Sequence, residues 1–172
     1  MFSLKRVTEV PSITIGVGEI KVTRKPVIMQ SLVLGSCIGL VLYDRYKGIA
    51  GMAHILLPNS RSYLKRAELV KYADSAIDIM LKRMLGLGAV KENIRAIVIG
   101  GAKFEDETIG EENIKSTLRK LRKEKIKIAA KETGGGERRS IIFDVKTGEC
   151  FYTVGDDNIP RKLIQIANNK KV

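Results

Sequence analysis

A thiol and an imidazole stand close together in this chain: Cys37, in the tight context Gly35-Ser36-Cys37, and His54, the one histidine, seventeen positions later. A cysteine attacks as its thiolate, and imidazole is the side chain whose ordinary pKa suits it to take the thiol proton near neutral pH. The pair suggests a cysteine hydrolase. The plainer reading is that Cys37 is a small buried hydrophobe and His54 a satisfied core histidine.

Strand geometry gives the two a way to meet. Ile38 to Asp44 and Gly48 to Leu57 are apolar segments joined by Arg45-Tyr46-Lys47-Gly48, the pattern of a β-hairpin. A two-residue loop at Arg45-Tyr46 sets Cys37 directly opposite His54, with Cβ atoms roughly 5 Å apart. A four-residue loop pairs Asp44 with Ile49 and displaces His54 by two places, still on the face of Cys37; a three-residue loop turns His54 to the other face.

The remaining elements must hold that hairpin. Ile13 to Thr23 and Val27 to Leu34 read as strands, the second starting after Pro26. Ala67 to Leu85 has helical spacing, with Leu69, Tyr72, Ala73, Ala76, Ile77, Met80, Leu81 and Met84 on one side and Gly86 and Gly88 to end it. Ile94 to Ile99 is a short buried strand running into Gly100-Gly101-Ala102, and Ile109 to Lys123 is a second helix. Ile126 to Ala130, Arg138 to Val145 and Glu149 to Val154 complete the strands, the last two joined by a turn at Lys146-Thr147-Gly148. The tail after Gly155 is expected to be a short helix or frayed. Neither Gly100-Gly101 nor Gly134-Gly135 sits in a phosphate-binding fingerprint, so both are read as turns or close backbone approaches.

At 172 residues, 44% hydrophobic and 29% charged, the chain is expected to form one domain over residues 1–172, with a core from roughly residue 13 to residue 155. Aromatic content of 5% with no Trp places the burial on Ile, Leu, Val and Ala. Met1 to Ser12 carries Lys5 and Arg6 but no apolar run of signal-peptide length, and nothing approaches the roughly twenty apolar residues that cross a bilayer. A cytoplasmic location without direct membrane insertion follows as the expectation. Cys37 and Cys150 are not expected to pair, and one His with two Cys supplies too few soft ligands for a structural zinc, so no metal or cofactor is expected.

The net charge of +12 and pI near 9.8 would attract an acidic partner, whose identity the charge leaves open, and the plainer reading of the basic second helix is a solvated face. Lys115, Arg119, Lys120, Arg122, Lys123 and Lys125 can surround the second helix, whose apolar residues are Ile114, Leu118 and Leu121. A nucleic-acid module is the rival from another class. It would need interleaved aromatics or a recognised binding motif, and the chain has neither, so no nucleic-acid partner is expected.

Several segments together resemble the chemoreceptor glutamine deamidase family, CheD, over most of the chain from Ile15 to Val154. The strongest are Leu34-Gly35-Ser36-Cys37 and, at the family's spacing, Gly51-Met52-Ala53-His54-Ile55-Leu56-Leu57-Pro58. Lys71-Tyr72-Ala73-Asp74, Gly100-Gly101-Ala102, Ile109-Gly110 with Asn113, and Thr133-Gly134-Gly135 followed by Arg138-Arg139 agree in the same order. The resemblance implies an α/β (α+β) fold of layered mixed β-sheets with two main helices packed on one side, similar to cytotoxic necrotizing factor-type deamidases.

It also implies roles. Cys37 would be the nucleophile and His54 its base, and a hydroxyl residue six places before the cysteine would complete the triad. The family usually has Thr there; this chain has Ser31, which keeps the hydroxyl and loses the methyl that restricts its rotamer. Backbone N–H groups around Gly35, Ser36 and Cys37 are the nearest oxyanion candidates. The implied reaction converts receptor Gln side chains to Glu through a Cys37 thioester, and a receptor methyl ester would pass through the same thioester. The implied partners are the cytoplasmic domain of a chemoreceptor and a CheC-type phosphatase. The remaining alternative is a catalytically weak adaptor that binds only the phosphatase.

Overall fold

The computed structural model describes residues 10–60, 66–105 and 107–167. The amino-terminal stretch with Lys5 and Arg6, and the loop residues Arg61 and Ser62, lie outside the described residues. Ten described strands form two five-stranded sheets. The first contains β1 (Ser12–Thr14), β3 (Ile28–Leu34), β8 (Arg139–Asp144), β9 (Glu149–Val154) and β10 (Asp157–Gln165), side by side in that order. The second runs β2 (Ile20–Thr23), β5 (Ile49–Ile55), β4 (Ile38–Asp44), β6 (Ile94–Gly100) and β7 (Lys127–Thr133). Neighbours are antiparallel except β1 with β3 and β6 with β7. The latter pair needs a crossover, which the helix between them supplies.

Two helices, α1 (Ala73–Gly86) and α2 (Ile109–Lys123), cover one face of the second sheet, so the molecule is layered sheet on sheet on helices. This is the α+β arrangement of mixed sheets with helices on one side that the family resemblance implies. β4 and β5 lie in the middle layer and are buried along their whole length, which is why they read as unbroken apolar runs. Their side chains still alternate. Leu40, Leu42, Ala53 and Ile55 face Ile77, Met80 and Leu121 of the helices. Val41, Tyr43, Ala50 and Met52 face Met29, Leu34, Ile141 and Phe143 of the first sheet, with Tyr43 edge-on to Phe143 at 5.1 Å between ring centroids.

The hairpin takes the four-residue loop. Asp44 pairs with Ile49, and Gly39 lies opposite His54. A carboxylate settles this register: Asp44, wholly buried, accepts the Tyr46 and Lys47 N–H groups at one oxygen (2.9 and 3.1 Å) and the Val90 N–H at the other (2.8 Å). Gly48 closes the loop at φ +62°, a conformation that glycine adopts without strain.

Three readings change. Ile13 to Thr23 is two strands in different sheets, because the chain turns at Gly16–Glu19, where Glu19 N–H bonds the Gly16 carbonyl at 3.0 Å and Gly18 has φ +70°. The expected helix from Ala67 begins as a 3-10 segment, Arg66–Lys71, and is interrupted at Tyr72. Tyr72 is extended because it bridges Leu57, so α1 starts only at Ala73. The tail is a strand rather than a short helix or a fray: β10 pairs with β9, irregularly, and Pro160 fits because β10 is the sheet's edge. Ile166 beyond it is buried between the sheets.

Candidate active site

The chain passes from the first sheet to the second through Gly35-Ser36-Cys37, between β3 and β4. Ser31 and His54 therefore approach from opposite layers. Ser31 lies on β3 and is wholly buried, while His54 lies on β5 on the side of Met52 and is 3% exposed. Cys37 stands at the crossing, half-buried against the inter-sheet core, two residues before Gly39 and so on the face that His54 shares. Gly39 has a steric reason: a Cβ there would come within 2.7 Å of Leu34 Cδ1. The His54 backbone is clamped by the Gly16–Glu19 turn, donating its N–H to Glu19 O at 3.1 Å and accepting from Gly18 N–H at 2.9 Å.

Hydrogen bonds assign the imidazole's proton. Ser31 Oγ lies 2.9 Å from the Ile15 carbonyl and 2.9 Å from His54 Nδ1. A hydroxyl has one proton, and a carbonyl can only accept, so that proton goes to Ile15. Nδ1 must then be the protonated nitrogen, donating to Ser31 Oγ, and Nε2 carries the free lone pair. Nε2 is buried and has no hydrogen-bond partner among the described residues.

Burial sets the charge state. Desolvation lowers the His54 pKa from its ordinary 6.5, with the Ile15 carbonyl opposing by favouring the protonated ring. The same desolvation raises the Cys37 thiol above its ordinary 9.0. Both shifts favour the neutral forms, a thiol and an imidazole whose Nε2 lone pair is available. Such a pair can do general-base-assisted attack by sulfur on an electrophilic carbon, followed by proton return to a leaving group. Cys150, the other free thiol, is buried in the inter-sheet core, and desolvation pushes it up to about 12.

The crossing loop is held from behind through its carbonyls. Gly35 O accepts from Ala102 N–H at 2.9 Å, Cys37 O from Gly101 N–H at 2.8 Å, and Ser36 O from Asn113 Nδ2 at 2.9 Å. Gly35 cannot be enlarged freely, since a Cβ there would lie 3.1 Å from the Phe104 ring. Among the described residues no group of three or more His, Cys, Asp or Glu could hold a metal ion. None of the described helices is long and apolar enough to cross a membrane.

The structure brings Ser31 and His54 into hydrogen-bond contact and packs Cys37, preceded by Gly35 and Ser36 in the crossing loop, against the core between the same two sheets. Two participants escape a reading of side-chain types: the Ile15 carbonyl, which a sequence cannot advertise, and Asn113, visible only as one residue of a resembling segment. Of the expected basic helix face, Lys120 is taken up by Asp78 of α1 at 2.5 Å and by Glu124 at 2.8 Å, while Lys115, Arg119, Arg122 and Lys123 are exposed.

The family described as CheD chemotactic sensory transduction matches residues 56–153, a span that begins just past His54. Full-length relatives extend the likeness across the site. A protein of Clostridium botulinum (strain Hall) named "Probable chemoreceptor glutamine deamidase CheD" is 37% identical over 155 residues, covering 86% of this chain and 96% of the relative. A protein of the same name from Thermococcus kodakarensis is 36% identical over 143 residues, covering 80% of this chain and 89% of its own.

Proposed function

The chain belongs to the CheD family, and from that premise we propose that it is a chemoreceptor glutamine deamidase, a cysteine amidohydrolase whose nucleophile is Cys37 and whose base is His54. His54 Nε2 takes the Cys37 proton as sulfur attacks the carboxamide carbon of a receptor glutamine. The protonated ring then gives that proton to the departing nitrogen, ammonia leaves, and a thioester remains. Water, deprotonated by the same Nε2, attacks the thioester; the tetrahedral species expels the thiolate, which recovers its proton, and the product is glutamate. Ser31 holds the ring in the tautomer that exposes Nε2. Backbone N–H groups of Ser36 and Cys37 receive the oxyanion in both tetrahedral species.

One observation carries this reading: Ser31 Oγ, committed to the Ile15 carbonyl, fixes the proton on Nδ1 and leaves a buried lone pair at Nε2 on the face of Cys37. A structural histidine in a core would be expected to satisfy both nitrogens. A receptor methyl ester would form the same thioester with methanol as the leaving group, so methylesterase activity is part of the proposal. The place of action is the cytoplasm, where a receptor's signalling helices lie, and a CheC-type phosphatase is the proposed regulatory partner.

The test is incubation with a chemoreceptor cytoplasmic fragment and mass spectrometry for gains of about one dalton at glutamine, one covalent turnover per event. Cys37→Ala is expected to abolish the conversion while the protein stays folded, and Cys150→Ala to retain it. Conversion by Cys37→Ala, or its loss only in Cys150→Ala, would overturn the assignment, and intact phosphatase binding by a wild-type protein that converts nothing would favour the adaptor.

A further inference from the structure

We propose that Asn113 is a positioning residue that aims the Cys37 backbone N–H at the reacting oxygen, building the oxyanion site from the far side of the nucleophile loop. The inference deepens the deamidase reading and rests on it. In a trans peptide the carbonyl and the following N–H lie in one plane and point in opposite directions. Holding the Ser36 carbonyl against Asn113 Nδ2 therefore turns the Cys37 N–H away from α2, just as the Gly35–Ala102 bond turns the Ser36 N–H away. Among the described residues neither N–H has a hydrogen-bond acceptor. Two adjacent donors, oriented by bonds to their own peptide carbonyls and otherwise free, are what a developing oxyanion requires.

Asn113 does a second thing with the same nitrogen. Nδ2 also donates to Leu56 O at 3.0 Å, and Leu56 lies two residues beyond His54. One wholly buried amide thus ties the loop that carries the nucleophile to the strand that carries the base. Its orientation is determined, because both partners are carbonyls and only the NH2 end can face them. Oδ1 is left buried without a donor, a penalty that a side chain present only for packing would not incur. Gly110 allows the reach: a Cβ there would lie 2.2 Å from the Ala102 carbonyl, so the first turn of α2 seats against Gly101-Ala102, the segment that itself bonds the nucleophile loop, and Asn113 comes within reach of Ser36 O.

Two reactions of Cys37 separate the roles. Deamidation develops an oxyanion; alkylation by iodoacetamide, a displacement at saturated carbon, does not. Asn113→Ala and Asn113→Asp are expected to lower single-turnover deamidation of receptor fragment by about 10- to 100-fold, less than outright removal of an oxyanion donor, with KM within about twofold. Cys37 alkylation should keep its wild-type rate and pH profile. Wild-type deamidation in folded Asn113→Ala, or parallel loss of deamidation and alkylation, overturns the proposal. A wild-type protein that converts no glutamine would instead sink the deamidase reading.

A measurement on the wild type stands apart from whether the variants fold. A peptide carrying glutamate semialdehyde adds to Cys37: sulfur bonds to the aldehyde carbon, and the thiol proton ends on the former carbonyl oxygen. The Cys37 amide proton resonance is expected to move downfield as that oxygen enters its site. An unmoved resonance in the adduct would overturn the assignment of that N–H and with it the role of Asn113.

Discussion

Ser31, with its own proton committed to Ile15, has one task left in the proposed mechanism, which is to orient His54. Its bond to Ile15 makes it an acceptor for His54, and the tautomer follows from that bond alone. His54→Ala should then reduce deamidation by about 10³-fold or more, the range general bases supply, and Ser31→Ala by about tenfold, because the ring itself remains and only its orienting acceptor is lost. Single-turnover rates check the ranking, and equal losses would make Ser31 more than an orienting group. The acid limb carries a sign that can be tested. A base must be neutral, and His54 titrates below its ordinary 6.5, so kcat/KM should hold at pH 6.5 and halve only beneath it. Stability runs the same way: the unfolded ring takes up a proton first, so acid favours unfolding as pH falls from 6.5 through the folded value. An acid limb centred above 6.5 would contradict the burial argument.

Elements place these residues by devices repeated along the chain. Asp144 accepts the Lys146 and Thr147 N–H groups (2.8 and 3.1 Å) ahead of Gly148 at φ +71°, the same turn that Asp44 and Gly48 build in the site hairpin. β3 departs from regularity where it matters: after Ser31 its register with β8 shifts, and Leu32 and Val33 stand exposed beside the crossing loop. Val33 has φ +55°, an outlier for a β-branched residue. Removing its Cβ should stabilise the protein by about 1 kcal/mol, the lower end of the left-handed penalty, and raise Tm by about 2–4 °C. Calorimetry of Val33→Gly checks this, and an unchanged or lower Tm would mean that the Val33 side chain contributes more than its backbone strain removes. A higher Tm with a raised KM would show that the strained turn presents Leu32 and Val33 to substrate.

At the scale of the molecule the charge is the unabsorbed feature. Lys91 and Lys120 are paired with Glu124, whose carboxyl the hydrogen bonds from Lys120 and then Lys91 hold down at about 2, whereas Arg119, Arg122 and Lys123 on the same helix stand exposed. We hypothesise that exposed Arg119, Arg122 and Lys123 on α2 assist the capture of acidic receptor helices. Raising salt to about 0.5 M should weaken substrate binding while leaving the chemical step nearly unchanged, because exposed charges are screened beyond a few ångströms and the buried site is not. Reversing Arg119 and Lys123 should flatten that dependence. Wild-type affinity of the reversed protein at low salt would leave the helix as a solvated face.

The hairpin, both helices and most strands were legible because apolar period and turn glycines are local properties. Register was not, since two loop lengths kept His54 on the right face and only Asp44, reaching Val90 forty-six residues away, chooses between them. The split of Ile13 to Thr23 at the Gly16–Glu19 turn and the break at Tyr72 were not legible, since the two halves of the first pair with different strands, β3 and β5, and Tyr72 bridges Leu57, fifteen residues earlier. Chemistry divides likewise. Side-chain types suggested the proposed nucleophile and base, whereas the proton's position on His54 depends on a carbonyl at Ile15, and the direction of the Cys37 N–H on an amide seventy-six residues later. Backbone groups carry no residue signature, so their part in the site exists only once two sheets and a helix have closed around it.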